Sequence, residues 1–159
     1  MLGITPFLWF DSRAEEASVL YVPAVPESRI DGVSRYGEAG PGPAGSAMTV
    51  DFKLRGQSFV ALNGGPVFTF NPAISFVVDC ETQEEVDRYW SQLSSGGSEG
   101  QCGWLTDKFG LSWQIVPTAL RRLLGDPDPE MVKRATQGMR GMTKLVGSKL
   151  EAAAEGLTP

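Results

Sequence analysis

The chain contains no histidine. That absence excludes Ser-His-Asp and Cys-His catalysis, imidazole proton transfer and every histidine-ligated metal site built from its own residues. Cysteine is nearly as scarce. Cys80 and Cys102 make neither a disulfide framework nor a CxxC zinc spacing, which points to a reducing, cytoplasmic setting. The net charge is −5 and no block of Lys or Arg interrupts it, Arg121-Arg122 being the nearest thing to one. Nucleic acid and anionic membrane both require concentrated positive charge, so neither is expected as a partner. No apolar run is long enough to cross a bilayer. The opening segment, with Asp11, Arg13, Glu15 and Glu16, lacks the basic-then-apolar order of a signal peptide.

What is present is ordinary globular composition over 159 residues, enough for one domain or two half-domains sharing a sheet. Ile4–Phe10, dense in β-branched and aromatic residues, predicts a buried strand. Asp11 or Ser12 is expected to cap a helix running to about Tyr21, with Glu15 and Glu16 in its first turn and Pro23 and Pro26 ending it. Arg29–Tyr36, Ala47–Leu54 and Gln57–Leu62 read as strands, the last two joined at Arg55-Gly56. Gly64-Gly65-Pro66 and Asn71-Pro72 bracket a linker, after which the order restarts. Ala73–Asp79 is a strand, and Thr82–Leu93 is a helix opened by a capping box of Thr82 and Glu85. Val86, Tyr89, Trp90 and Leu93 share one helical face.

Two hairpin strands follow Gly96-Gly97, closing in the stretch from Gln101 to Pro117. Asp107-Lys-Phe-Gly110 supplies the turn. Beyond it Ser112, Gln114 and Val116 alternate with Trp113 and Ile115, so a polar amide is aimed where an apolar residue would be easier to bury. After Pro117 the pattern is helical. Ala119–Leu124 is short, and Asp128 with Pro129 starts a longer helix. Met131, Ala135, Met139 and Met142 form a stripe suited to core or subunit packing, with no obvious cover in so short a chain.

The closing hairpin resembles that of the vicinal oxygen chelate superfamily, the glyoxalase and bleomycin-resistance group, whose pattern is roughly Asp-Pro-x-Gly-x-x-x-Glu. Three further segments, Tyr36–Ser46, Ala61–Pro66 and Gln101–Trp104, are similar to the PhnB-like family, often labelled 3-demethylubiquinone-9 3-methyltransferase. The resemblance runs from about Ile4 to Leu124. It implies an α+β fold of two βαβββ modules, at 4–63 and 73–117 within a domain 1–124, followed by a helical tail at 125–159. It also implies a pocket usually completed in a homodimer. In metal-dependent relatives four inward side chains hold a divalent ion. Their positions fall here on Thr5, near Phe59 or Ala61, on Ala73 and on Gln114. Of these only Gln114 offers even a weak ligand, so no metal or other cofactor is expected.

Gly40-Pro-Gly-Pro-Ala-Gly45 satisfies the letters GxGxxG, but its prolines remove two backbone donors and a strand follows it instead of a helix. It reads as a flap over the pocket or as a plain solvated loop. Methyl transfer therefore has no support from the chain beyond the family label. Gln114 can hydrogen-bond a ligand or be a satisfied amide. Phe7, Trp9 and Trp104 line an aromatic pocket or simply pack the core. Cys102 is a nucleophile or an inert thiol with no histidine to activate it. Glu38 and Glu99 are the acid/base candidates near the flap, or solvated. The expected site is then Thr5, Phe7, Trp9, Asn63, Cys102, Trp104 and Gln114. The expected partners are a small-molecule ligand and a second copy of the chain. The expected function is metal-independent binding of a small molecule, with a glyoxalase-like enzyme or a methyltransferase as the alternative.

Overall fold

A computed structural model describes residues 3–157. The chain divides after Phe70 into two compact units. The first contains β1 (Phe7–Phe10), α1 (Ala14–Ala24), β2 (Arg29–Arg35), β3 (Ala47–Leu54) and β4 (Gln57–Asn63). Its sheet runs β1-β4-β3-β2, with β1 parallel to β4 and the other pairs antiparallel. The second contains β5 (Ser75–Cys80), α2 (Gln83–Ser94), β6 (Ser98–Glu99), β7 (Trp104–Thr106) and β8 (Ser112–Pro117). Its order is β5-β8-β7-β6, again with the first strand parallel to the last. The βαβββ module is therefore present twice, and the match of pairing order is far clearer than any match of residues. The second unit continues into α3 (Thr118–Leu124), α4 (Pro129–Arg140) and α5 (Gly147–Ala154).

Strand alternation decides which face of each sheet a helix covers. In the first unit Val50, Phe52, Phe59 and Ala61 are buried, and α1 brings Ala17 and Tyr21 onto them. Phe52 stacks on Phe59 with ring centroids 5.3 Å apart, and Tyr21 lies 6.3 Å from Phe52. In the second unit α2 buries Val86, Tyr89, Trp90 and Leu93, and the sheet buries Cys80, Leu105, Trp113 and Ile115. The opposite face of the first sheet, carrying Phe7, Asp51 and Val60, is left uncovered by α1.

Local chemistry sets the turns and caps. Thr82 and Glu85 form the expected capping box. In the β7–β8 turn the Asp107 carboxylate, 2 % exposed, accepts the Phe109 and Leu111 N–H groups and the Trp113 indole N–H. Gly110, at φ 91°, closes that turn.

Two helix-end expectations for α1 are corrected. Arg13, not Asp11 or Ser12, occupies the N-cap and gives no side-chain bond. The Asn63 side-chain oxygen at the end of β4 accepts the Ala14 N–H instead, at 2.8 Å. Pro23 lies inside the helix, which continues for one residue to Ala24; so close to the end, the lost backbone donor and the ring's crowding of the preceding turn interrupt no further turns.

The expectation that the methionine stripe lacks cover within the chain is also corrected. Met131, Met139 and Met142 pack against a cluster of Val116, Leu120, Leu123, Ala135, Leu145, Leu150 and Ala154. At the α4–α5 crossing a Cβ on Gly138 would lie 2.7 Å from that of Ala153, so glycine is what lets the two helices approach. The tail is tied to the rest of its unit by polar contacts as well. Gln83 donates to the Leu145 carbonyl and accepts the Gly147 N–H, and the Cys102 and Gly103 amides donate to the Met142 and Thr143 carbonyls.

Candidate functional site

The uncovered face of the first sheet is assembled by register. Phe7 on β1 pairs with Val60 on β4, which pairs with Asp51 on β3. Odd-numbered positions of the first strand and the residues before it share a side, so Thr5 joins Phe7 there. Together with Asp31, Ser58 and the strand positions of Phe52 and Phe59, whose rings pack on the α1 side, these residues line a cleft of about 350 Å³. Phe7 is 60 % exposed, an unusual state for a large aromatic ring inside a strand. The two carboxylates differ. Asp31 is neutralised by Arg29 at 2.6 Å and faces Lys53 at 3.8 Å, whereas Asp51 makes no hydrogen bond or ion pair among the described residues.

Trp9, two residues beyond Phe7, is an anchored ring. Its indole N–H donates to the Gly65 carbonyl at 2.9 Å, and its edge meets Phe68 with centroids 5.1 Å apart. A Cβ on Gly64 would lie 2.3 Å from the indole, so only glycine fits beneath it. Asn63 is engaged at both ends of its amide, accepting from Ala14 and donating to the Ala47 carbonyl at 3.0 Å. Its own carbonyl accepts the Tyr36 hydroxyl. Asn63 therefore holds the start of α1 to the sheet, at the rim of a second cavity of about 320 Å³ under the Gly/Pro loop. That loop folds back on Tyr36 through Gly45 N–H to Tyr36 carbonyl and Tyr36 N–H to Ser46 carbonyl bonds, and then leads directly into β3. Gly40 and Gly42 rest on the Tyr36 ring, where a Cβ would come within 2.8 and 2.5 Å.

In the second unit Gln114 on β8 pairs with Val77 and with Trp104, bringing two of the expected residues side by side. The Gln114 amide N–H donates to the Ser75 hydroxyl at 2.8 Å, leaving its amide oxygen as the acceptor. Cys102 is half-buried at φ 59° in the turn before β7, and its amide is used to hold the tail. Glu99 accepts the Trp90 indole N–H at 2.7 Å and so braces α2. Glu38 is exposed in the Gly/Pro loop.

The positions at which metal-dependent relatives hold an ion have a poor donor set in this chain. Phe59 and Ala61 lie on the helix-covered face of β4, and Ala73 precedes β5 with no donor atom in its side chain. Thr5 and Gln114 offer one neutral oxygen each, in different units. A divalent ion is dehydrated by charged carboxylates or by imidazoles, and these positions supply neither. Among the described residues no three His, Cys, Asp or Glu side chains come together to hold a metal ion.

Asp51, Ser58 and Val60 were not legible as site residues. The only signal was Asp51 at a polar position of the alternating run 50–54, which reads equally well as a solvated face.

The sequence profile of the family described as 3-demethylubiquinone-9 3-methyltransferase matches residues 2–116. Among solved structures the PhnB protein of Bacillus cereus is 38 % identical, covering 73 % of this chain and 99 % of its own, with a TM-score of 0.68. A protein of Pseudomonas aeruginosa is 21 % identical, covering 74 % and 98 %, with a TM-score of 0.62. A variant of the fosfomycin resistance protein FosX of Listeria monocytogenes, complexed with Mn(II) and a dihydroxypropylphosphonic acid, is 11 % identical. It covers 73 % and 92 %, with a TM-score of 0.52, a likeness of fold alone. No curated protein matches.

Proposed function

This chain belongs to the family described as 3-demethylubiquinone-9 3-methyltransferase, a PhnB-like group of the vicinal oxygen chelate superfamily. On that premise we propose that it binds a small organic molecule without a divalent-metal cage. The observation that carries this reading is the cleft on the first sheet. An exposed Phe7, an apolar Val60, the Thr5 and Ser58 hydroxyls and a free Asp51 carboxylate converge on about 350 Å³, which suits a small molecule and offers nothing for a metal beyond one unpaired carboxylate. Gln114 and Trp104 form a polar and aromatic pair on the second unit, available to a ligand of that unit.

The working form of the protein on this reading is a homodimer. Ile4, Val67, Phe68 and Ile74 are each more than 60 % exposed, an amount of apolar surface that a second copy would bury. The tail is not part of that reasoning, because its methionines are covered within the chain.

Methyl transfer is the second reading, and the family description is what favours it. The Gly40–Gly45 loop does not lend it a nucleotide-cofactor cradle, since β3 and not a helix N-terminus follows.

Two measurements on one purified sample test the proposal. Elemental analysis is expected to find well under one divalent metal per chain. Mass spectrometry of the organic extract, or crystals soaked with small aromatic molecules, is expected to place a ligand against Phe7 and Val60. One tightly held metal per chain, or ligand density only away from that face, would overturn it.

A further inference from the structure

We propose that Asp51 is the residue that selects the ligand, and that the ligand is an organic ammonium ion whose apolar body lies over Val60 toward Phe7. This rests on the cleft reading above and adds the charge and shape of the occupant.

Of the two carboxylates lining the cleft, Asp31 is held by Arg29 and approached by Lys53, while Asp51 has no partner among the described residues. An unpaired carboxylate on an exposed strand is ordinary when its neighbours are polar. Here its neighbour on β4 is Val60, and Val60's neighbour on β1 is the exposed ring of Phe7. On the other side, β2 presents Gly32, and nothing lies within 4 Å of where a Cβ would be. The missing side chain leaves open space alongside the carboxylate.

The geometry then sets the size. Strands lie about 4.8 Å apart, so Phe7 and Asp51, two strands apart, are separated by roughly 10 Å with Val60 between them. A molecule with a planar or branched apolar body and an ammonium group a few bonds away fills that span. Its body covers Val60 and meets the Phe7 ring, and its cation reaches Asp51. The charge follows from the same arrangement. An apolar body laid over the cleft excludes water from around Asp51 and lowers the local dielectric, which strengthens attraction for a cation and penalises an anion. The Thr5 and Ser58 hydroxyls, which line the same cleft, can accept hydrogen bonds from the remaining N–H donors or bind a substituent. The net charge of −5 acts in the same direction at long range.

The test is a titration of uniformly labelled full-length protein, followed by amide NMR shifts. Three probes of one shape are used: phenethylammonium, phenethyl alcohol and phenylpropanoate. Asp51 makes no contact that folding requires, so Asp51→Asn keeps the fold, and Asp51→Glu restores the charge as a control. Phenethylammonium is expected to shift the amides of Phe7, Asp51 and Val60, and to bind about tenfold or more tightly than either other probe. That preference is expected to disappear in Asp51→Asn, to return in Asp51→Glu and to weaken as salt is raised. Equal binding of all three probes at the same amides, or unchanged selectivity in Asp51→Asn, would overturn the role of Asp51 while leaving the cleft intact as a ligand site. Failure of every probe to shift those amides would instead overturn the cleft reading on which this inference stands.

Discussion

The Gln114 amide on β8 is satisfied by the Ser75 hydroxyl on β5, 2.8 Å away across a parallel strand pair. A glutamate at that position would present a charged ligand. The amide presents half of its hydrogen-bonding capacity to a neighbouring strand and keeps one neutral oxygen. We expect Gln114→Glu to leave the purified protein without a stoichiometric divalent metal, because, of the other ligand positions, Phe59 or Ala61 and Ala73 supply no donor and Thr5 only one neutral oxygen. Elemental analysis of the variant after growth in metal-supplemented medium checks this, and one bound ion per chain would refute it.

Gly64 is the seat of the Trp9 indole. A Cβ there would lie 2.3 Å from the ring, so Gly64→Ala must displace Trp9, break its bond to the Gly65 carbonyl and disturb its edge contact with Phe68. The expected cost is about 1–3 kcal/mol. Urea unfolding measures it, and a changed tryptophan emission reports the moved ring. A variant with unaltered stability and emission would show that the ring is not held as described.

The Asp107 carboxylate serves three donors at once while almost fully buried. Asp107→Ala leaves the Phe109 and Leu111 amides and the Trp113 indole without that acceptor. A loss of about 3 kcal/mol is expected, with Asp107→Asn milder because one oxygen is kept. Denaturant midpoints of the two variants, compared at equal slope, decide it.

Truncation after Leu124 removes Ala135, Leu145, Leu150 and Ala154 from around Leu120 and Leu123, together with the Gln83 clamp. The second unit should lose stability on the order of 5 kcal/mol, while subunit number in sedimentation stays as in the full chain. A truncated chain of unchanged stability would contradict the packing. One that changed only its subunit number would restore the tail as an interface.

The Lys144 ammonium, and after it the Gln83 amide, holds the Asp87 carboxyl below its ordinary value of 3.8. A depressed folded value means the contribution to stability is present above about pH 4 and is lost as the pH falls through the folded value. The pair is exposed, so the effect is small. Lys144→Ala should move the Asp87 titration upward, toward the ordinary value, in carboxyl-detected NMR; no movement would remove the pair from the account.

What the sequence made legible were the local devices. The Thr82–Glu85 capping box, the Asp107–Gly110 turn and the strand–helix order each depend on residues a few positions apart. What it hid depends on residues brought together from far along the chain. The cap of α1 comes from Asn63, and the methionine stripe is covered by α3 and α5. Of the residues expected at the site, Thr5 and Phe7 line one cleft and Gln114 neighbours Trp104, while the Asn63 side chain is bonded to Ala14 and Ala47 and the Cys102 amide is bonded to the tail. Asp51 was missed because a free carboxylate and a paired one look alike until their neighbours are known.

The central claim is that the uncovered face of the first sheet takes a small organic molecule without a metal. The most direct measurement is a fragment titration by amide NMR with excess EDTA, repeated in three EDTA-free samples with added magnesium, calcium or zinc, all diamagnetic. The account predicts that small aromatic fragments shift Thr5, Phe7 and Val60 equally in all four conditions. Shifts at those residues that appear only when a metal is added would contradict it.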